Sequence, residues 1–283
     1  MLSVALAALS GLIWGVGDFS GGKATQRAAV LPVVWISKLI SLPLLVIYLI
    51  ATYVPVTAVG LAWGGLAGVA GVVGLVLFYR ALAAGAMTVV APVTGVTSAA
   101  IPVVVGLVAG ERPSFTRLLG VGCALLAIAL VSLAPHPAQQ RQMVTRRLVI
   151  AALGAGTGFA LFFILLAVAG KAAGGAVGMW PIAGSQISAL VILALLLLMT
   201  RPGPWPRHAT LRWTMVAGPC DMTANALYLL ATRGGDLSVV APIAALYPVT
   251  TVILALIIEH ERLRGIQVAG LILAVAALVL VSR

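Results

Sequence analysis

Charged residues are scarce in this sequence. They make up 8% of its 283 residues, whereas hydrophobic residues make up 62%. A soluble globular domain has roughly 25% charged residues. Only six residues are acidic, three are histidines and two are cysteines. Since a water-soluble fold could not bury so much apolar surface, the composition excludes a soluble globular protein.

The sequence also lacks the motifs of several functional classes. It has no HExxH pair, no GxxxxGK[ST] loop for ATP, and no nucleophile beside a base in its apolar segments. The histidines, His136, His208 and His260, fall in predicted loops. Cys123 and Cys220 lie in apolar segments without a second thiol at metal-ligand spacing. These absences argue against an enzyme, an ATP-driven pump, a metal site and a disulfide framework, and we expect no cofactor.

Long hydrophobic runs follow one another along the whole chain. About 20 apolar residues are needed for a helix to cross the hydrocarbon layer, and ten runs of that kind are present. They are continuously apolar, without the alternation of a membrane β-barrel, so helices are predicted. The first run contains Asp18 and lacks a basic start, which favours a retained helix over a secretory signal. The predicted spans are 2–21, 30–50, 59–80, 87–109, 115–134, 148–169, 177–200, 211–232, 238–258 and 263–281.

The net charge of +11 comes from basic residues in the short loops between these runs. Basic loops set membrane topology, so we interpret the charge as a topology signal and expect no nucleic acid partner. Eleven lysines and arginines fall on one face, and five fall on the face bearing both termini. The five are Arg112, Arg117, Lys171, Arg233 and Arg283. Because the richer face is normally cytoplasmic, both termini are predicted to lie outside the cytoplasm.

The two halves of the sequence repeat each other. With a shift of 150 residues, segment 67–133 aligns with segment 217–283 without a gap and with 17 identical positions. The identities include Val-Val-Ala-Pro, which occurs at 89–92 and again at 239–242. Glu-Arg likewise follows the fourth span at 111–112 and the ninth span at 261–262.

Each half contains five predicted spans. Because five is an odd number, the second half must enter the membrane from the side opposite to the first. We therefore predict two inverted five-helix repeats, residues 1–134 and 148–283, joined by a linker at 135–147. Inverted repeats are typical of secondary transporters, where they alternate access to a central site.

Several of these motifs together resemble the drug/metabolite transporter superfamily, EamA type. They are Trp14-Gly15 in the first span, the Ala-Pro pairs of spans four and nine, and the Glu-Arg pairs after those spans. The resemblance covers essentially the whole chain, and it implies ten helices with a substrate cavity between the halves. Known relatives include exporters of amino acids and importers of choline, so the cargo stays open. In the second half Gly158-Phe159 replaces Trp-Gly, so the halves should line the cavity differently.

Two carboxylates lie inside predicted spans, where an ionised side chain costs about 2.5 to 3.5 kcal/mol on insertion scales. Asp221 is followed at helical spacing by Asn225 and Tyr228, which predicts either a substrate or proton site or a structural cluster. Asp18 lies one turn after Trp14. A carboxylate beside an aromatic ring suits an ammonium group, and the alternative is a solvated Asp18 near its helix end.

Lys38 is the one lysine inside a predicted span. Its long side chain could reach the membrane surface, or it could form an ion pair with Asp18 or Asp221. A shift of 148 residues aligns Ser37-Lys38 with Ser185-Gln186, so a polar residue recurs at this level. The recurrence favours a position in the cavity.

Hydroxyl side chains follow one face of the fourth and ninth spans. Thr94 and Tyr247 are candidate substrate contacts, although hydroxyls commonly bond backbone carbonyls of their own helix. We interpret Glu111 and Glu261, each followed by arginine, as interfacial charges that fix a helix end. A role in gating is the alternative.

We predict a secondary transporter of the cell membrane, proton-coupled or facilitative, which moves a small polar or cationic metabolite by alternating access. Amino acids and amines are the expected cargo. The alternatives are an exporter of drugs or amphipathic cations, a membrane-embedded enzyme and a non-transporting scaffold. The expected partners are the substrate, the lipid bilayer and protons, and the chain is expected to be a monomer or a weak dimer.

Overall fold

The computed structural model describes residues 1–83, 87–133, 145–200, 203–259 and 264–283. These residues form twelve α-helices and one short 3-10 turn, and no strand occurs among them. The helices are α1 (Leu2–Thr25), α2 (Val30–Ile40), α3 (Leu42–Thr52), α4 (Ala58–Ala83), α5 (Met87–Val108), α6 (Phe115–Ser132), α7 (Arg146–Lys171), α8 (Trp180–Met199), α9 (His208–Gly234), α10 (Leu237–Ala244), α11 (Tyr247–Ile258) and α12 (Gly265–Val281).

Within the described residues, eight helical segments are long and apolar enough to cross a membrane. In two of them a pair of helices forms one segment, α2 with α3 over Val30–Thr52 and α10 with α11 over Leu237–Ile258. α12 is apolar but has only 17 residues, and α9 is long but less apolar. The all-helical membrane fold is therefore confirmed, and the remaining two predicted spans are not confirmed by length and composition.

Two segments predicted as continuous helices are interrupted. α2 ends at Ile40 and α3 begins at Leu42 with Pro43 in its first turn, and α11 begins with Tyr247 and Pro248. Proline has no N–H, and its ring clashes with the carbonyl four residues earlier. The interruptions at Ser41 and at 245–246 follow from these prolines.

The helices of the first half pack mainly against helices of the second half. α1 packs against α9, α4 against α7 and α8, and α6 against α12. α1 and α9 run in opposite directions, because Ser10 donates a hydrogen bond to the carbonyl of Ala224 while Gly17 lies near Cys220. Most of the predicted linker at 135–147 lies outside the described residues, as do Glu261 and Arg262.

Glycines allow several of these helices to approach closely, as in the GxxxG pairs Gly11/Gly15 and Gly154/Gly158 of the sequence. A Cβ atom on Gly11 would lie 2.8 Å from the carbonyl oxygen of Ala244. A Cβ atom on Gly158 would lie 2.6 Å from Cα of Gly74. Since real Cβ atoms do not approach so closely, larger residues at these positions would separate the helices.

Adjacent glycines in α4 provide a matched test of this packing. A Cβ atom on Gly64 would lie 2.7 Å from Cα of Pro181 in α8, whereas one on Gly65 would meet no atom of the described part of the chain within 4 Å. We expect Gly64→Ala to destabilise the fold by about 1 to 3 kcal/mol through overpacking. Gly65→Ala should be neutral or slightly stabilising, because alanine favours the helix. Thermal unfolding of the two purified variants in detergent measures the difference, and equal melting temperatures would contradict it.

Candidate functional site

An ion pair connects two of the membrane helices. Asp221 is the middle residue of α9, and its Oδ2 lies 2.5 Å from Nζ of Lys38 in the last turn of α2. The side chains of Lys38 and Asp221 are 18% and 37% exposed, so the pair is partly accessible. Pairing makes both charges tolerable within the apolar layer. Of the alternatives for Lys38, the structure shows the ion pair with Asp221.

Asp18 lies about two turns before the end of α1. Its side chain is exposed, although its neighbours Gly17 and Phe19 are buried. Asp18 is within electrostatic range of Asp221, of Tyr79 in α4 and of Tyr247 in α11. Asp18 is therefore an accessible carboxylate with polar groups of three other helices within electrostatic range.

Tyrosines lie around these charges. Tyr79 and Tyr247 are both half-buried. The hydroxyl of Tyr48 in α3 lies 3.0 Å from Oγ1 of Thr223, close in sequence to Asp221. Sequence reasoning selected Tyr247 and missed Tyr79, whose counterpart in the 150-residue repeat is Leu229. The signal for it is that Tyr79 is the single tyrosine of α4 and lies next to Arg80.

Trp14 and Tyr228 belong to a buried aromatic cluster. Ring centroids lie 5.4 Å apart between Trp14 and Phe163 and 5.0 Å apart between Phe163 and Tyr228. The Tyr228 hydroxyl donates a hydrogen bond of 3.0 Å to the carbonyl of Phe163, and its side chain is fully buried. Tyr228 therefore connects α9 to α7, which agrees with the alternative of a structural cluster for this residue. Trp14 is buried although Asp18, one turn away, is exposed.

Asn225 is buried one turn after Asp221. Its Nδ2 donates a hydrogen bond of 2.7 Å to the Asp221 carbonyl, and its Oδ1 is buried without a hydrogen-bond partner among the described residues. An unpaired buried acceptor costs about 1 to 3 kcal/mol, so Oδ1 is a place where a donor would bind. Thr94, by contrast, donates a hydrogen bond of 3.1 Å to the Ala152 carbonyl, which joins α5 to α7.

A third carboxylate, Glu111, joins the two halves on the termini face. By this we mean the face formed by Met1, residues 109–114, residues 234–236 and Arg283. Oε1 of Glu111 accepts a hydrogen bond of 2.7 Å from the N–H of Leu237, and its Oε2 accepts one of 2.8 Å from the N–H of Ser238. Both donors belong to the start of α10, where a helix favours an anion. Asp236, the residue at the N-cap of α10, makes no side-chain capping bond.

The surroundings of Glu111 keep it ionised. Partial burial alone would raise the pKa of Glu111. The hydrogen bonds from Ser238 and Leu237 and the positive charge of Lys171, whose Nζ lies 3.8 Å away, outweigh burial and lower the pKa. The structure thus gives Glu111 a partner in the other half of the chain, beyond the helix-end role predicted from the sequence.

On the opposite face, an ion pair joins Lys23 at the end of α1 to Glu259 after α11. The N–H of Ala29 also donates a hydrogen bond of 2.8 Å to the carbonyl of Pro204. Between the two faces, α5 packs against α10, whereas α11 packs against α1 and α6. The fourth and ninth spans therefore meet toward the termini face.

Fold and site together define an all-helical, multi-pass membrane protein that holds charged side chains between its helices. The chain belongs to the EamA-like transporter family, whose model matches residues 1–133 and 146–283, within the drug/metabolite transporter superfamily. The resemblance stated from the sequence motifs is confirmed. Members of this family are transporters rather than enzymes.

The fold also matches solved structures. One crystal structure superimposes with a TM-score of 0.79 and covers 98% of this chain and 95% of its own chain at 14% sequence identity. At this identity the likeness shows the fold alone. No curated protein matches the sequence.

Proposed function

We propose that this protein is a secondary transporter that moves a small polar or cationic metabolite, such as an amino acid or an amine, across the cell membrane. The observation that carries the proposal is the partly accessible Lys38–Asp221 pair with Asp18 close by. With all three groups ionised, two carboxylates face one ammonium, so the site has an excess of negative charge. Such a site favours a cation or a proton, which can replace Lys38 at Asp221.

We further propose that α9 and α12 complete ten spans arranged as two inverted repeats. The packing supports this, because equivalent helices of the two halves make equivalent contacts. The contact of α1 with α9 corresponds to that of α7 with α4. The contact of α1 with α10 and α11 corresponds to that of α7 with α5. A Cβ atom on Gly120 would contact Val281, and one on Gly270 would contact Val131. The two contacts are equivalent, because the shift of 150 residues aligns Gly120 with Gly270 and Val131 with Val281.

In this proposal the structure represents one state of an alternating-access cycle. Glu111 holds the two halves together on the termini face, and Asp18 and Asp221 have accessible side chains. The other state would release Glu111 and keep the halves together on the opposite face, where Lys23 pairs with Glu259. The charge bias of the loops assigns that opposite face to the cytoplasm, and this orientation stays a prediction.

Uptake into liposomes tests the proposal. We expect the purified protein, reconstituted into vesicles with an imposed proton gradient, to transport at least one compound from a panel of amino acids, choline-like amines and amphipathic cations. Stimulation by the gradient would support proton coupling, and transport without it would support facilitation. Preference for the amphipathic cations would favour the drug-exporter alternative. Fluxes equal to those of protein-free vesicles for the whole panel would refute transport of these compounds.

A further inference from the structure

The second membrane span is interrupted beside the proposed site. α2 ends at Ile40, and Pro43 in the first turn of α3 cannot donate a backbone hydrogen bond. Backbone carbonyls freed within the apolar layer need other donors, since each unsatisfied group costs several kcal/mol there. Lys38 lies in the last turn before the interruption, so the geometry of the interruption determines where its side chain points.

Gln186 of α8 supplies such a donor. Its Nε2 donates a hydrogen bond of 2.6 Å to the Lys38 carbonyl and lies 2.8 Å from Oγ of Ser41. The Ser41 hydroxyl also donates a hydrogen bond of 2.8 Å to the Lys38 carbonyl. Gln186 is only 3% exposed, so its amide is committed to these contacts.

Lys38 is therefore bound both at its backbone and at its side-chain ammonium group. Gln186 contacts its backbone, and Asp221 contacts its ammonium group. The opposite side of α2 is fixed by α9, because a Cβ atom on Gly218 would lie 2.9 Å from the carbonyl carbon of Ser37. α2 is thus confined between α8 and α9, and loss of the Gln186 contact would free it on one side only.

We propose that Gln186 is a positioning residue for the Lys38–Asp221 pair. It holds the interruption at Ser41 in the geometry that places Lys38 on Asp221, and so it sets how readily a cationic substrate replaces Lys38 there. Gln186 is also the residue that the shift of 148 aligns with Lys38. The inference rests on the proposed transport function and names a residue that acts through Lys38 without touching the substrate.

The test uses Gln186→Met, which keeps the unbranched side chain and removes the donor. A loosened Lys38 competes less well for Asp221 and returns to it more slowly after release of the substrate. We therefore expect KM to fall about threefold and the maximum rate to fall about tenfold, the effect of roughly one hydrogen bond. Initial rates in liposomes are measured with the panel compound that the wild type transports fastest.

Two further variants make the result specific. Ser41→Ala removes the other hydrogen bond to the Lys38 carbonyl and should shift both parameters in the same directions. Ser188→Ala, on the same helix as Gln186, removes a hydroxyl whose one hydrogen bond among the described residues is to the Ser185 carbonyl of α8. It should leave both parameters within about twofold of the wild type. An unchanged or increased KM in Gln186→Met would overturn the positioning role of Gln186. Transport by the wild type would still support the proposed function in that case.

A measurement without transport keeps the two proposals separable. In a double-mutant cycle on thermal unfolding, Gln186→Met should destabilise the wild type more than it destabilises Lys38→Met, because positioning matters only when the ammonium group is present. Additive effects in this cycle would overturn the positioning role. If the cycle showed coupling but the wild type gave no flux, the positioning role of Gln186 would be supported and only the proposed transport function would be refuted.

Discussion

Asp221→Asn is expected to reduce transport by about 100-fold. Asparagine has nearly the same shape, but it can neither balance the charge of Lys38 nor accept a proton or a cationic group. A hydrogen bond to a charged group is worth about 1.5 to 3 kcal/mol, and Asp221→Asn removes the charge that such a bond needs. Roughly 3 kcal/mol corresponds to about two powers of ten in rate. Initial rates in liposomes, normalised to the amount of reconstituted protein, measure the effect.

The control for this prediction is Asp236→Asn. Asp236 is another carboxylate of the second half, but it lies on the termini face and makes no side-chain capping bond. We expect Asp236→Asn to stay within about twofold of the wild type, as most surface substitutions do. If a folded Asp221→Asn variant transported at more than a third of the wild-type rate, the site assignment would be wrong.

A double variant separates folding from function. In Lys38→Met/Asp221→Asn both charges are gone, so no uncompensated ammonium remains in the apolar layer. This variant should unfold at a higher temperature than Asp221→Asn and still fail to transport. Recovery of transport together with stability would mean that the pair is structural, and the proposed mechanism would lose its central step.

The sequence predicted the charged part of the site because each charge within an apolar run must be explained. Asp18, Lys38 and Asp221 stand out by composition alone, and all three lie in helices as expected. The sequence could not decide which carboxylate pairs with Lys38. That choice depends on which helices are neighbours, and α2 happens to lie beside α9.

Helical spacing was less informative for the uncharged residues. Asn225 and Tyr228 follow Asp221 at spacings that share a face, yet the structure buries both and directs the Tyr228 hydroxyl to the Phe163 carbonyl. Periodicity gives the face of a helix but does not say whether a cavity or another helix lies against it. For the same reason Gln186 was visible only as a repeat counterpart of Lys38, and its contact with the Lys38 carbonyl was not predictable.

The interruptions of the second and ninth spans illustrate a different limit. Pro43 and Pro248 are visible in the sequence, and the clash of proline with a preceding carbonyl is a local rule. A proline can nevertheless remain within a helix, as Pro92 and Pro102 do in α5. Whether a helix breaks depends also on its neighbours, such as Gln186, which donates a hydrogen bond to the Lys38 carbonyl just before the interruption. That is a property of the assembled bundle.

Glu111→Gln is expected to slow transport about tenfold and to expose the start of α10. The two carboxylate oxygens each accept one backbone N–H, from Leu237 and from Ser238, whereas a glutamine side chain offers one acceptor oxygen and turns an NH2 group toward the second donor. The positive end of the α10 dipole and Lys171 would also lose the anion that they face. The closed termini face therefore becomes less stable relative to the other state.

Hydrogen–deuterium exchange at the amides of Leu237 and Ser238 measures directly whether Glu111 protects the start of α10. Because the pKa of Glu111 is lowered in the folded protein, its stabilising effect is present above the ordinary glutamate pKa and is lost as the pH falls through the lowered value. Wild-type protection, corrected for intrinsic exchange, should thus be constant through neutral pH, and Glu111→Gln should lose it there. Glu259→Gln, which removes a carboxylate paired with Lys23 on the opposite face, serves as the control and should leave these two amides protected. If Glu111→Gln left both amides as protected as in the wild type, Glu111 would not hold the termini face closed.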